Sequence, residues 1–346
     1  MTSVTPSESR HPERAAEQRV DELSDGYRAL VNGAGSHVAD GPGQFEVSGP
    51  DAHAYVNRIA TADLSVLEPG HFVASLLLRD DASILDRVTI YRFPERVLLV
   101  VDTAQREAAW EHIVARKRGN VRLRDLSADM SVTAVRGPAT MTRLAPLLSP
   151  VPGQAGEVVN ARLAGIDVFA ARAPLDGAEG VDLYCRARDQ ASLQSMLLKA
   201  GVRPVSGEDW RIHRLEWGIA TVGSEIDPGD TPVEAGLERL VAEGKGAPFP
   251  GETALAARRR TGALKRLVGF HVAGEEMPPL ASRVAVAGVM VDRVRTIGRS
   301  PRVGVIGITA IPTSADAPGT TLMLRSGDQG WQAKLVRRPF VTRAPT

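Results

Sequence analysis

From Leu264 onward the chain is a train of short apolar runs: LKRLVGFHV, RVAVAGVMVDRVRTIG, VGVIGITAI, TTLMLRS and WQAKLVRRPFV, set close together between Gly, Pro and Asp turns. Strands this short bury little alone, and an unpaired edge exposes a row of N–H and C=O groups. Close spacing without intervening helical patterns predicts a small antiparallel barrel or sandwich. A basic run, Arg258-Arg259-Arg260, precedes this block and reads as a solvated helix end. The expected division is a loose polar lead over 1–25, a mixed region over 26–257 and the strand-rich domain over 258–346.

The middle region follows another grammar. FEVSG and FVASLLL read as strands, and VTIYR and RVLLVV as a hairpin, while TAQREAAWEHIVAR has helical periodicity. Pro50-Asp51 opens a helix carrying Tyr55 and Ile59 on one stripe. The order strand, strand, helix returns in ARLAGIDVFAARA, GVDLYCRA and DQASLQSMLLKAG, which predicts two related α+β halves. The glycine-rich stretch GAGSHVADG at 33–41 reads as a loop.

Charge and motifs exclude more than they assign. A formal net charge of +1, with acids and bases interspersed, predicts neither a nucleic-acid surface nor a membrane surface. No apolar stretch approaches the length of a membrane span. The lone Cys185, in apolar VDLYCRA, reads as an inert core thiol and fits a reducing, cytoplasmic setting. No dinucleotide or P-loop glycine pattern, HExxH or GxSxG occurs, and the seven histidines lack metal-ligand spacing, so no metal is expected. Asp86, at the mouth of the VTIY strand, is the one acid whose position calls for an explanation.

Eleven segments in order, FEVSGPDA, NRIATADLSVLEPG, ILDRVTIYR, LLVVDTAQREAAW, VTAVRGP, HRLEWGIATVGSEI, TPVEAGL, GKGAPFPGETAL, LKRLVGF, GRSPRVGVIGIT and KLVRRPF, span roughly residues 45 to 340. In that order and spacing the chain resembles the aminomethyltransferase superfamily, founded on the glycine cleavage T-protein and including folate-dependent O- and S-demethylases. The resemblance implies an α+β fold: two related folate-binding α+β domains plus a C-terminal antiparallel β-barrel-like domain, packed as a three-lobed ring around a central channel that holds tetrahydrofolate.

The resemblance also assigns residues. The family's hydrophobic–Asp–Asp motif reads Ile84-Leu85-Asp86-Arg87-Val88, which puts the catalytic acid on Asp86 and replaces the second acid with Arg87. A carboxylate there would orient the reactive pterin amines and stabilise developing positive charge, and a neighbouring arginine is expected to keep it ionised. The acid that holds the pterin's amino edge falls on Asp182 within the run Ala173–Asp182; the folate-contacting arginine falls on Trp210; the tyrosine of the QYT strand on Ala74; and the asparagine of VVN on Asp102, after Val101. Asp182, Trp210, Asp102, Ala74 and Val101 are therefore the expected cofactor-binding positions. The family glutamate of LRLEAG falls on Glu216, expected to anchor its helix near Arg214.

These departures imply a reshaped pocket and a methyltransferase or demethylase that takes a one-carbon unit from a small O-, N- or S-methylated molecule, as a monomer or homodimer. One alternative is an aminomethyltransferase that works with a lipoyl carrier. Another is a non-catalytic folate-binding, iron–sulfur assembly protein, whose KGCYxGQE mark is absent from Lys245–Glu252.

Overall fold

The structure, a computed structural model, describes residues 23–173 and 179–342. Three antiparallel-dominated sheets carry the fold. The first runs, edge to edge, His71–Leu78, Ile84–Arg92, Arg96–Val101, Gly43–Ser48 and Arg122–Asp125. The expected VTIYR/RVLLVV hairpin is its centre. Alternation gives this sheet two different faces. Phe45, Val47, Leu77, Val88, Ile90 and Leu99 pack beneath helices Ala52–Ile59 and Arg106–Ala115, against Val56, Ile59 and Ile113. Each such fully buried aliphatic or aromatic contributes roughly 1.5–3 kcal/mol.

The opposite face carries Phe72, Tyr91, Phe93 and Leu98, and meets Val132, Val158, Phe169 and Tyr184 of the second sheet. That sheet runs Arg203–Pro204, Gly35–Val38, Met130–Arg136, Gly180–Arg186, Ile166–Arg172, Val158–Leu163 and Leu148–Ser149. Residues 33–41 are thus not all loop: Gly35–Val38 pairs with Met130–Arg136 and crosses from the N-terminal segment into the second half. Gly35 is there for close approach, since a Cβ would meet Val205 Cγ2 at 2.7 Å. ARLAGIDVFAARA is two strands, joined at Ala164 and Gly165, both with positive φ.

The third sheet runs Val289–Arg293, Arg283–Val286, Thr321–Ser326, Gln329–Val336, Lys265–Val272, Gly304–Pro312 and Thr296–Ser300. It wraps Phe270, Ile311, Leu324 and Trp331 inside. Its other side, through Leu267, Ile306 and Ile308, shares a core with Leu76, Leu78 and Ile84 of the first sheet and with Leu215 and Val233. Helix Glu252–Thr261 carries Arg258 and Arg259 onto Glu234 and Glu238, as expected of a helix end. Of the lead, 1–22 lies outside the described residues, while a helix already starts at Asp25, capped by Ser24 Oγ accepting the Tyr27 N–H at 3.0 Å. No helix among the described residues is long and apolar enough to cross a membrane.

Candidate active site

Between the first two sheets lies a cavity of about 400 Å³, inside the roughly 300–1,000 Å³ range of small-molecule sites. Ala74, Arg87, Thr89, Tyr91, Val101 and Asp102 wall it from the first sheet. His37, Val132, Arg136, Asp182 and Tyr184 wall it from the second. Helix Gly207–Glu216 and the turn after it close it with Trp210, Arg214 and Thr221. Among the described residues the lining of this cavity includes none from the third sheet.

Much of the lining is aromatic or basic. Tyr91 and Tyr184 share a hydroxyl–hydroxyl hydrogen bond of 2.7 Å, and Phe169 stacks on Tyr184 at 4.0 Å. Burial pushes both phenols far up, so they remain neutral. His37 stacks on Trp210 with ring centroids 4.8 Å apart and 11° between planes. Arg136 Cζ lies 5.9 Å from the Trp210 ring, a cation–π contact.

Asp182 reaches the cavity from strand Gly180–Arg186, paired across to Ala134. Its Oδ1 lies 2.8 Å from Arg136 Nη1 as an ion pair, yet that buried oxygen receives no aligned hydrogen bond from any described residue. The two observations agree if the contact is charge attraction without a well-directed N–H, and we read it so. A buried acceptor left in this state is the feature a ligand donor would satisfy. Part of the aligned run leading to it, residues 174–178, lies outside the described residues.

Asp86 differs most from expectation. It lies inside strand Ile84–Arg92, not before it, opposite Leu77. Leu77, Val88 and Ile90 all face the core under the helices, so Asp86 points there too and is 0% exposed. Arg87, Thr89 and Tyr91 point the other way, into the cavity. Asp86 therefore stands behind the wall. Its Oδ1 accepts the Arg87 N–H and its Oδ2 the Asp102 N–H, each at 2.8 Å. Burial pushes its carboxyl up to about 8, the charge of Asp102 adds to this, and the two N–H donors and Arg87 oppose it. Arg87 points to the opposite face, where its ionising influence on Asp86 is small, and desolvation outweighs it.

Ala74, Val101, Asp102, Asp182 and Trp210 all line this one cavity, from three different elements of its wall. Glu216, fully buried, is anchored by the hydroxyls of Tyr27 and Ser300 with Arg302 3.9 Å away, not by Arg214, which lines the cavity. Cys185 is buried, and its thiol is pushed up to about 11 by burial. Sequence reasoning missed His37, Arg136, Tyr91 and Tyr184 as wall residues. Only VTAVRGP and VTIYR, among the segments noted for order, carried two of them.

The GCVT N-terminal domain family matches residues 9–245, and the glycine cleavage T-protein C-terminal barrel domain family matches residues 265–342. An aminomethyltransferase of Symbiobacterium thermophilum is 30% identical over 91% of this chain and 88% of its own length. One of Bacillus velezensis is 29% identical over 93% and 90%. The fold is that of the glycine cleavage system aminomethyltransferase T from Bartonella henselae, with TM-score 0.83 at 22% identity, covering 91% of this chain and 88% of that one.

Proposed function

This chain belongs to the glycine cleavage T-protein family of tetrahydrofolate-dependent one-carbon transferases, and on that footing we propose that it transfers an aminomethyl-derived one-carbon unit to tetrahydrofolate held in the cavity between its first two sheets. The names borne by its relatives support aminomethyl transfer over the small-molecule demethylation that the departures in sequence had favoured, and on the alternative reading the donor is carried by a lipoyl protein. The observation that carries the reading is the buried Oδ1 of Asp182, an acceptor with no aligned donor among the described residues, in an aromatic-walled cavity.

When bound, the reduced pterin supplies two nucleophilic ring and side-chain amines. Asp182, held by Arg136, takes the donors of the pterin's amino-pyrimidinone edge. Trp210 with His37, and Tyr91 with Tyr184, offer flat faces that exclude water around the rings. We assign Asp86 to the transfer step as a brace: by accepting both backbone N–H groups it fixes Asp102 and Arg87, charged residues of the first sheet that line the cavity. Asp102, beside Val101 at the strand's end, is then the carboxylate placed to stabilise positive charge as the one-carbon unit moves. Ala74 leaves space where the family carries a tyrosine.

The test is tetrahydrofolate-dependent ammonia release from an aminomethyl-loaded lipoyl carrier. One observation favours a second reading: Arg87 stands where the family has an acid, which disfavours a cationic amine nearby. If the carrier yields no ammonia while methoxy-aryl, methylamine or methylthio compounds lose a methyl group, that second reading replaces the first. If neither donor reacts and tetrahydrofolate does not bind, both fall.

A further inference from the structure

Among the described residues, one cation of the cavity lining, Arg214, has no counter-charge in contact with it. Arg214 lies in the last turn of helix Gly207–Glu216, half-buried and in the lining. Its guanidinium makes no hydrogen bond and no ion pair with any described residue, so the wall acids Asp40, Asp102 and Asp182 all stand more than 4.0 Å away. Arg136, by contrast, is already matched by Asp182. A guanidinium drawn partly out of water without a partner carries an unfavourable desolvation that an anion would reverse.

Its neighbours fix where such an anion would sit. Arg214 follows Trp210 by one helical turn, so both occupy the same helix face. Trp210 is stacked on His37, and burial keeps His37 below its usual range, the charge of Arg214 adding to that effect. His37 therefore stays neutral, and Arg214 is the charge that a ligand meets at this end. The planar, five-donor fork suits a carboxylate better than any other small anion of metabolism except phosphate.

We propose that Arg214 is the carboxylate-binding residue of this cavity, one turn along the helix from the position where the family places its folate-contacting arginine and this chain has Trp210. The inference rests on the cavity being the folate site. The carboxylate belongs either to the glutamyl tail of the cofactor or to a small one-carbon donor, and the experiment separates the two.

Calorimetry on the full chain and on Arg214→Ala would use four probes: tetrahydrofolate, 6-methyltetrahydropterin (which lacks the tail), N-methylglycine and N-methylglycinamide. If the cofactor tail is the ligand, the substitution weakens tetrahydrofolate by about 10- to 100-fold and leaves 6-methyltetrahydropterin unchanged. If a donor is the ligand, both pterins bind as before, and N-methylglycine weakens while its amide does not. Arg214→Lys, which keeps charge but loses the fork, should recover only part of the loss. The proposal is overturned if Arg214→Ala alters none of the four, or if it weakens 6-methyltetrahydropterin as much as tetrahydrofolate, which would mark a structural role. Failure of wild-type protein to bind either pterin would instead remove the folate reading, and the N-methylglycine pair would still report on Arg214.

Discussion

The seam between the lobes and the wall of the cavity are built on opposite plans. At the seam, one cation satisfies several backbone carbonyls. Lys245 Nζ donates to the carbonyls of Asn57, Ala60 and Ala62 at 2.5, 2.7 and 2.9 Å, closing the end of helix Ala52–Ile59. Arg338 reaches the carbonyls of Gly218, Ala235 and Leu267 at 3.1–3.2 Å, one from each of three segments that meet there. Thr231 and Glu234 form a capping box on the short helix Pro232–Ala235. In the wall the charges instead line an open space, and Arg214 makes no hydrogen bond or ion pair with any described residue. The seam residues come from GKGAPFPGETAL, KLVRRPF and TPVEAGL, which resemble the family, whereas Ala74, Arg87, Asp102 and Trp210 depart from it. On that resemblance the frame keeps the family's pattern, and the lining proposed to meet the ligand departs from it.

Breaking the seam should therefore cost stability, with the largest effect at Arg338. Arg338→Ala strands three carbonyls in a buried place, and each unsatisfied acceptor costs about 1–3 kcal/mol. We expect a loss of about 3–5 kcal/mol in urea denaturation, or failure to accumulate as folded protein. A loss below about 1 kcal/mol would mean that water replaces the guanidinium and that the seam is not held as described. Lys245→Met should follow at about 2–3 kcal/mol, because the helix end loses three charge-assisted donors but lies nearer the surface.

How much of this could be read from the sequence divides along the same line. The third-sheet strands and the VTIYR/RVLLVV hairpin were legible because alternation and turn residues are local signals. Gly35–Val38 was not, since its glycine answers a contact with Val205, 170 positions away by subtraction of the residue numbers. The direction of Asp86 was hidden by the register shift at Leu77/Leu78, which no pattern in ILDRV announces. The cavity gathers His37, Tyr91, Arg136, Tyr184 and Arg214 from distant strands and a helix. Five positions of the wall came from the family resemblance, and the rest required the fold.

Asp86 joins the two regions, being buried like the seam but bonded to the wall, and its protonation offers an intermediate test. Its carboxyl is raised from an ordinary 3.8 to about 8. The folded state thus holds a proton that the unfolded state has released. Stability from this group is fully present below about pH 4 and is lost as pH rises toward about 8. Wild type should lose about 1–3 kcal/mol relative to Asp86→Asn across that window, once relaxation of the site is allowed for. A pH-independent difference in urea midpoints between the two proteins would show that Asp86 is ionised throughout. Activity should also bend near pH 8 in wild type and not in Asp86→Asn.

The smallest expected change in stability, under about 1 kcal/mol, belongs to Arg87→Asp, which restores the family's paired acids at a half-buried position. Its effect on titration has a definite sign. Arg87 is one of the influences that lower the Asp86 carboxyl, and Asp102 already raises it by charge repulsion. Exchanging the guanidinium for a third carboxylate removes the first influence and strengthens the second, so the bend near pH 8 should move upward. Arg87→Met should move it in the same direction but less, because it deletes a charge without reversing one. With a carrier-bound aminomethyl donor, Arg87→Asp should also lower KM, since a cationic amine then meets an acid where it met a base. If both substitutions leave the bend in place, the wall and the buried acid do not communicate. Asp86 would then belong with the seam, and the chemistry would rest on Asp102 alone.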